Sequence, residues 1–94
     1  MIHVHSNSIG AALVHLWRGA RVRRQGWNGK NMWLKLLKPY EDTTSREMTH
    51  PFVYIEYPPG HPAYPTGSRV PWLASQTDLL AVDWEVVPDV PAQG

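Results

Sequence analysis

Cysteine is absent from the 94 residues. Disulfides, thiolate zinc sites and thiol nucleophiles are therefore excluded. Long apolar runs are missing as well. None approaches the ~20 residues of a membrane span, and the longest stretches are interrupted by His15, Arg18 or Lys35. The opening MIHVHSNSIG lacks the basic-then-apolar layout of a signal peptide, so the cytoplasm is the expected compartment. Phenylalanine occurs once, whereas tryptophan occurs five times and proline nine times. Proline limits the regular structure available. Tryptophan supplies large flat faces that fill a core or stack on a ligand.

Acids are missing from residues 1–40, which carry seven cations: Arg18, Arg21, Arg23, Arg24, Lys30, Lys35 and Lys38. Residues 41–94 reverse this, with eight acids against Arg46 and Arg69, and the net charge is +1. An all-basic first half attracts phosphate. The same split is met if the two halves pack and neutralise each other, within one subunit or between subunits. The length predicts one domain over 1–94, with 1–6 and 89–94 as loose termini. A chain this short buries only about two-thirds of its unfolded surface, and without disulfides self-association is one of the few remaining sources of stability.

The pattern predicts a helix over about 8–18. Ser6, Asn7 and Ser8 offer N-cap side chains, and Ile9, Ala12, Leu13, Leu16 and Trp17 form one apolar stripe. Gly19 suits the left-handed position that ends a helix. ARVRRQ at 20–25 reads as a short strand entering a turn at Gly26–Lys30, where Asn28-Gly29 is a strong type I′ hairpin signal. NMWLKLLK at 31–38 reads as the return strand, followed by a polar loop over 40–50. FVYIEY at 52–57 is strand-like. PPGHPAYPTGS at 58–68 is irregular and suits a lid or an interface arm. Val70–Leu73 reads as a short edge strand, because Pro71 has no N–H to donate. Ser75, with Asp78 three residues on, forms a capping box for a helical turn. VDWEVV at 82–87 closes the chain as a strand with Val82, Trp84 and Val86 on one face. This order predicts an α+β fold: a small antiparallel sheet, one main N-terminal amphipathic helix, and a short helical turn before the last strand.

Familiar catalytic patterns do not occur. GxxxxGK[ST], GxGxxG and HExxH are all missing, and no nucleophile elbow frames the serines. His3 and His5 share one side of an extended segment but lack companion ligands for a metal. Asp78 and Asp83 allow a carboxylate pair, but each has a simpler role: Asp78 caps a helical turn and Asp83 faces solvent. The expectation is a protein without catalysis, cofactor or metal.

Two segments carry more information. Arg23-Arg24-Gln25-Gly26-Trp27-Asn28-Gly29-Lys30 gathers two guanidinium groups, an indole, a carboxamide and an ammonium around a tight turn. Arginine binds phosphate through paired hydrogen bonds, and indole and carboxamide suit a nucleobase or ribose. The alternative is an ordinary hairpin whose Trp27 packs on the helix. In Val70–Leu80, Trp72 precedes a helix N-terminus, and Ser75, Gln76, Thr77 and Asp78 are four consecutive hydrogen-bonding side chains. A capped turn with Leu79 and Leu80 in the core explains Ser75 and Asp78 but not Gln76 and Thr77. The expected ligand-binding residues are Arg24, Trp27, Asn28, Lys30, Trp72, Ser75, Gln76, Thr77 and Asp78. Trp17 and Trp84 are assigned to the core.

GWNGKNMWLKL together with VPWLASQTDLLAVDWEVV resembles the second family of phage proteins that defeat the bacterial Thoeris defence. The amphipathic helix and the ARVRRQ strand fit the same family. The resemblance implies a small α+β sponge protein, assembled as a homotetramer, that sequesters an immune signal without degrading it. That signal is glycocyclic ADP-ribose, made by the Thoeris TIR enzyme; some members also hold cyclic dinucleotides at a separate site. Nanomolar capture needs about 12 kcal/mol, and one stack supplies roughly 1–3, so an isolated hairpin falls short and a pocket enclosed between subunits is expected. A small hydrolase of such a signal is one alternative. A nucleic-acid-binding module is another, opposed by the acidic second half. No membrane partner is expected.

Overall fold

Helix α1 spans Ile9–Trp17 in the computed structural model, which describes residues 5–27, 30–39 and 47–88. Ser8 caps it: its backbone is extended and its hydroxyl accepts the Ala11 N–H at 3.2 Å. The chain leaves the helix through Gly19, whose φ of 89° favours a residue without Cβ.

Five strands follow: β1 (Val22–Arg24), β2 (Trp33–Leu37), β3 (Phe52–Tyr57), β4 (Ser68–Pro71) and β5 (Trp84–Val86). They form one antiparallel sheet in the order β4-β3-β2-β1-β5. A short helix α2 (Gln76–Leu80) precedes β5. The fold is α+β, with the expected main N-terminal helix and the expected helical turn before the last strand.

Register decides which side chains meet. Val22 pairs with Leu34 and Val86, and Leu34 pairs with Ile55, so these residues share one face. α1 covers that face with Ala12 and Leu16, which are 2% and 1% exposed. The opposite face carries Trp33 and Tyr54, with ring centroids 6.2 Å apart. The Arg21 guanidinium lies 5.1 Å from the Trp33 ring and that of Arg69 lies 5.4 Å from Tyr54. The chain enters α2 from β4 at one sheet edge and returns in β5 at the other. The contact of Trp72 with Trp84 places this crossing on the helix-covered face.

Several expectations change in detail. Trp17 is not core: it is 53% exposed, with the Lys38 ammonium 5.8 Å from its ring. At 100° per residue, Ala12 and Leu16 point at the sheet while Leu13 and Trp17 sit on the shoulder. Trp84 and Val86 share the expected face of β5, but they are not equally covered, and Val82 lies outside the strand. Val82 precedes the strand and is exposed, Val86 lies at the edge strand's open end, and Trp84 alone is buried. Leu79 and Leu80 are exposed because α2 turns its Asp78 side inward. The return strand begins at Trp33 rather than Asn31, because Asn31 is left-handed with φ 58°. β4 begins at Ser68 rather than Val70 and is the edge strand that Pro71 requires. Asn28, Gly29, residues 40–46 of the polar loop, and most of both expected loose termini lie outside the described residues. Among the described residues no helix is long and apolar enough to cross a membrane.

Candidate functional site

β1 ends in Arg24 and runs into a 3₁₀ turn over Gln25–Trp27, in place of the first half of the expected hairpin tip. One residue from β5's entry organises this turn. Asp83 accepts the Arg24 Nε–H at 2.8 Å through Oδ1 and the Gly26 N–H at 2.8 Å through Oδ2. Its main-chain oxygen accepts the Gln25 N–H at 3.0 Å. Asp83 therefore does not face solvent freely, as the sequence suggested. The Arg24–Trp84 pairing leaves it one position beyond the ladder, where it reaches the turn. Gly26 lies close to the carboxylate, and a Cβ there would stand 2.9 Å from Asp83 Oδ2, so a side chain at this position has to shift it.

Arg24 also crosses to α2. Its Nη1 donates to Asp78 Oδ1 at 2.9 Å, and Asp78 Oδ2 accepts the Ser75 N–H at 2.9 Å. Ser75 Oγ accepts the Asp78 N–H at 3.1 Å, completing the expected capping box. The two carboxylates are thus joined by one cation between them. The hydrogen bond to Asp83 raises the Arg24 pKa above its usual range, against the opposing effect of burial. Burial pushes the Asp78 carboxyl up, but the Ser75 bonds and Arg24 outweigh it and hold the carboxyl low. Asp83 is held low first by Arg24 and then, against burial, by the Gly26 N–H.

Three indoles meet behind this ion cluster. Trp84 is 2% exposed. Trp27 and Trp72 both contact it edge-on, with centroids at 5.6 and 5.8 Å and interplanar angles of 79° and 84°. The two segments singled out in the sequence are therefore brought together twice, through Arg24–Asp78 and through the indole trio.

A cleft of about 350 Å³ opens beside the turn, lined by Arg23, Arg24, Gln25, Trp27, Lys30, Asn31, Met32 and Glu85. A second hollow of about 510 Å³ continues from it past Lys30 and Asn31 to the Pro58–Pro62 stretch of the proline-rich arm. That arm carries its own ring cluster: the Tyr57 ring lies 4.7 Å from His61 and 4.9 Å from Tyr64. The Ala63 N–H donates to His61 Nδ1 at 3.0 Å.

Of the expected binding residues, Arg24, Trp27 and Lys30 line the first cleft. Trp72 leans on Trp84 instead, Ser75 is occupied with capping, and Asp78 is buried against Arg24. Gln76 and Thr77 are exposed on α2, with Thr77 Oγ1 2.9 Å from Ser75 Oγ. Asn28 lies outside the described residues. Of the cleft and clamp residues, Asn31, Met32, Asp83 and Glu85 lay outside the two segments singled out in the sequence. Asn31 alone carried a local signal, because asparagine tolerates left-handed backbone.

Fold and site together define a small α+β protein whose open, mixed-charge cleft is bordered by an indole supported from the core. The sequence matches the Thoeris anti-defense 2-like domain over residues 7–87, and the chain belongs to that family. It is 39% identical over 85 residues to Thoeris anti-defense 2 of Bacillus phage SP01, covering 85% of this chain and 93% of that protein. Membership supports a phage anti-defence role.

Proposed function

We propose that the protein binds a cyclic ADP-ribose-type immune signal in the cleft beside Trp27, withholds it from the host's Thoeris effector and leaves it chemically intact. The same reading puts its place of action in the cytoplasm of the infected cell. The observation carrying it is the convergence of Trp27, Lys30 and Asn31 on an open cleft in a chain of this family. The ligand's rings match the indole, its pyrophosphate the Lys30 ammonium, and its hydroxyls the polar side chains around the turn. Arg24 already serves two carboxylates, so in this reading it supports the cleft while Lys30 meets the phosphates.

The cleft is open, and tight capture needs a further wall. A homotetramer supplies one. Leu73 is 91% exposed, Leu80 79% and Val82 57%, around the same α2 that carries Gln76 and Thr77. Covering these side chains with another copy removes the apolar exposure and brings the polar start of α2 to a neighbouring cleft.

The test is direct. The protein is incubated with glycocyclic ADP-ribose, separated from free ligand and heat-denatured, and the released material is identified by mass spectrometry. Intact ligand that again activates the effector is the expected result. A cleaved or linearised product establishes a hydrolase instead. Parallel incubation with cyclic dinucleotides tests a second ligand class.

A further inference from the structure

One residue spans the whole turn that presents Trp27. Asp83 bonds Arg24, Gln25 and Gly26 at 2.8, 3.0 and 2.8 Å. These are the three residues immediately before the indole. The connections close into a ring. Trp27 rests on Trp84, and the Trp84 Nε1–H donates to the Asp78 main-chain oxygen at 3.1 Å. Asp78 holds Arg24, Arg24 holds Asp83, and Asp83 holds the amide next to Trp27. A neighbouring ion pair is different in kind. Arg23 and Glu85 face each other across the β1–β5 register at 3.0 Å, and Glu85 reaches the turn only through the Gln25 side chain at 3.3 Å, not through the turn's main chain.

We propose that Asp83 is the positioning residue of the cleft: through the Gly26 N–H and Arg24 it sets the Trp27 indole edge-on against Trp84, so that the cleft wall is formed before any ligand arrives. This rests on the cleft being the binding site. Asp83 touches no ligand in this scheme and acts through Trp27. Glycine at position 26 belongs to the same device, because a methyl group there would stand 2.9 Å from the carboxylate and has to shift it. Preorganisation of this kind raises affinity by removing the ordering cost at binding.

The experiment uses the full chain and two ways of opening the clamp. Asp83→Asn removes the charge, and Gly26→Ala leaves all charges in place while crowding Asp83. Glu56→Gln, which breaks the Arg69–Glu56 pair on the far side of the sheet, is the control. The near-UV circular dichroism of ligand-free protein, compared with Trp27→Phe, isolates the Trp27 signal. Calorimetry with glycocyclic ADP-ribose gives affinity. Both clamp variants are expected to lose the Trp27 signal with far-UV spectra preserved, and to bind about tenfold more weakly, equivalent to about 1.4 kcal/mol. Glu56→Gln is expected to change neither readout. In a Trp27→Phe background, Asp83→Asn is expected to cost little further affinity, because both changes remove one interaction. Asp83→Asn that lowers the melting temperature but keeps the Trp27 signal and parental affinity overturns the proposal, as does full additivity with Trp27→Phe. If Asp83→Asn does not fold, Gly26→Ala carries the same decision. A parent that binds no probe refutes the binding reading, while the ligand-free spectra still decide the clamp.

Discussion

The Trp84 indole donates its N–H to the main-chain oxygen of Asp78 at 3.1 Å, and both residues are buried. This bond ties the last strand to α2, so the largest fully buried side chain also anchors the helix whose N-terminal box is completed by Asp78. Trp27 and Trp72 lean on the same ring from other segments. Trp84 is therefore where the core and the candidate site meet.

Trp84→Ala is expected to destabilise folding by about 3–5 kcal/mol through the cavity it leaves. Trp84→Phe keeps much of the volume but leaves the Asp78 oxygen without its donor, at a cost of about 1–3 kcal/mol. Urea titrations followed by far-UV circular dichroism give both values. Near-parental stability of Trp84→Ala refutes the assignment.

Trp27→Ala is expected to weaken glycocyclic ADP-ribose binding by roughly 1–3 kcal/mol, the value of one lost stack. The edge-on contact with Trp84 adds a stability loss of about 0.5–1.5 kcal/mol. Titration of the folded fraction separates the two effects. A large stability loss with unchanged affinity makes Trp27 a structural residue only.

Lys30→Met is expected to reduce binding most at low salt, and the difference from the parent shrinks as ionic strength rises. Arg24→Ala is expected to act first on stability, because it leaves Asp78 and Asp83 without their shared cation. Binding isotherms at several salt concentrations, alongside thermal melts, distinguish the two arginine and lysine roles. A salt-dependent loss confined to Arg24→Ala reverses the assignment.

Acid is expected to weaken the fold through the same cluster. The Asp78 and Asp83 carboxyls are held below their ordinary values in the folded state. The unfolded chain therefore binds more protons, and stability rises with pH through this range. Their contribution is fully present above the unfolded carboxylate pKa of about 3.9 and is lost as the pH falls through the lower folded values. Denaturant midpoints between about pH 7 and pH 2 measure it. Arg24→Met raises both folded values toward the unfolded one, so its acid limb is smaller and shallower than the parent's. A parent and variant with superimposable acid limbs contradict the cluster's role.

Light scattering at micromolar concentration is expected to give a mass near four chains, and Leu73→Glu with Leu80→Glu is expected to reduce it. A monomeric parent removes the shared-cleft arrangement.

Local chemistry made much of the fold legible. Ser8 before an apolar stripe, FVYIEY, and Ser75 with Asp78 three residues later specify α1, β3 and the capped α2 through contacts a few residues apart. Trp17 shows the limit of that reading. Its place on the stripe satisfies the helical period, but only the angle at which α1 meets the sheet leaves it on the shoulder. The site divides in the same way. The two segments and their residue types were visible in the chain. That Arg24 meets Asp78, 54 positions away, and Asp83, 59 away, was not. Hydrogen bonds between distant residues depend on strand order and register, which set β5 beside β1 and brought Asp83 to the end of the ladder. The residue types at the site were thus determined by the sequence alone. Which of them face the cleft, and which hold the others in place, was decided only when the edge strands and α2 closed around Trp84.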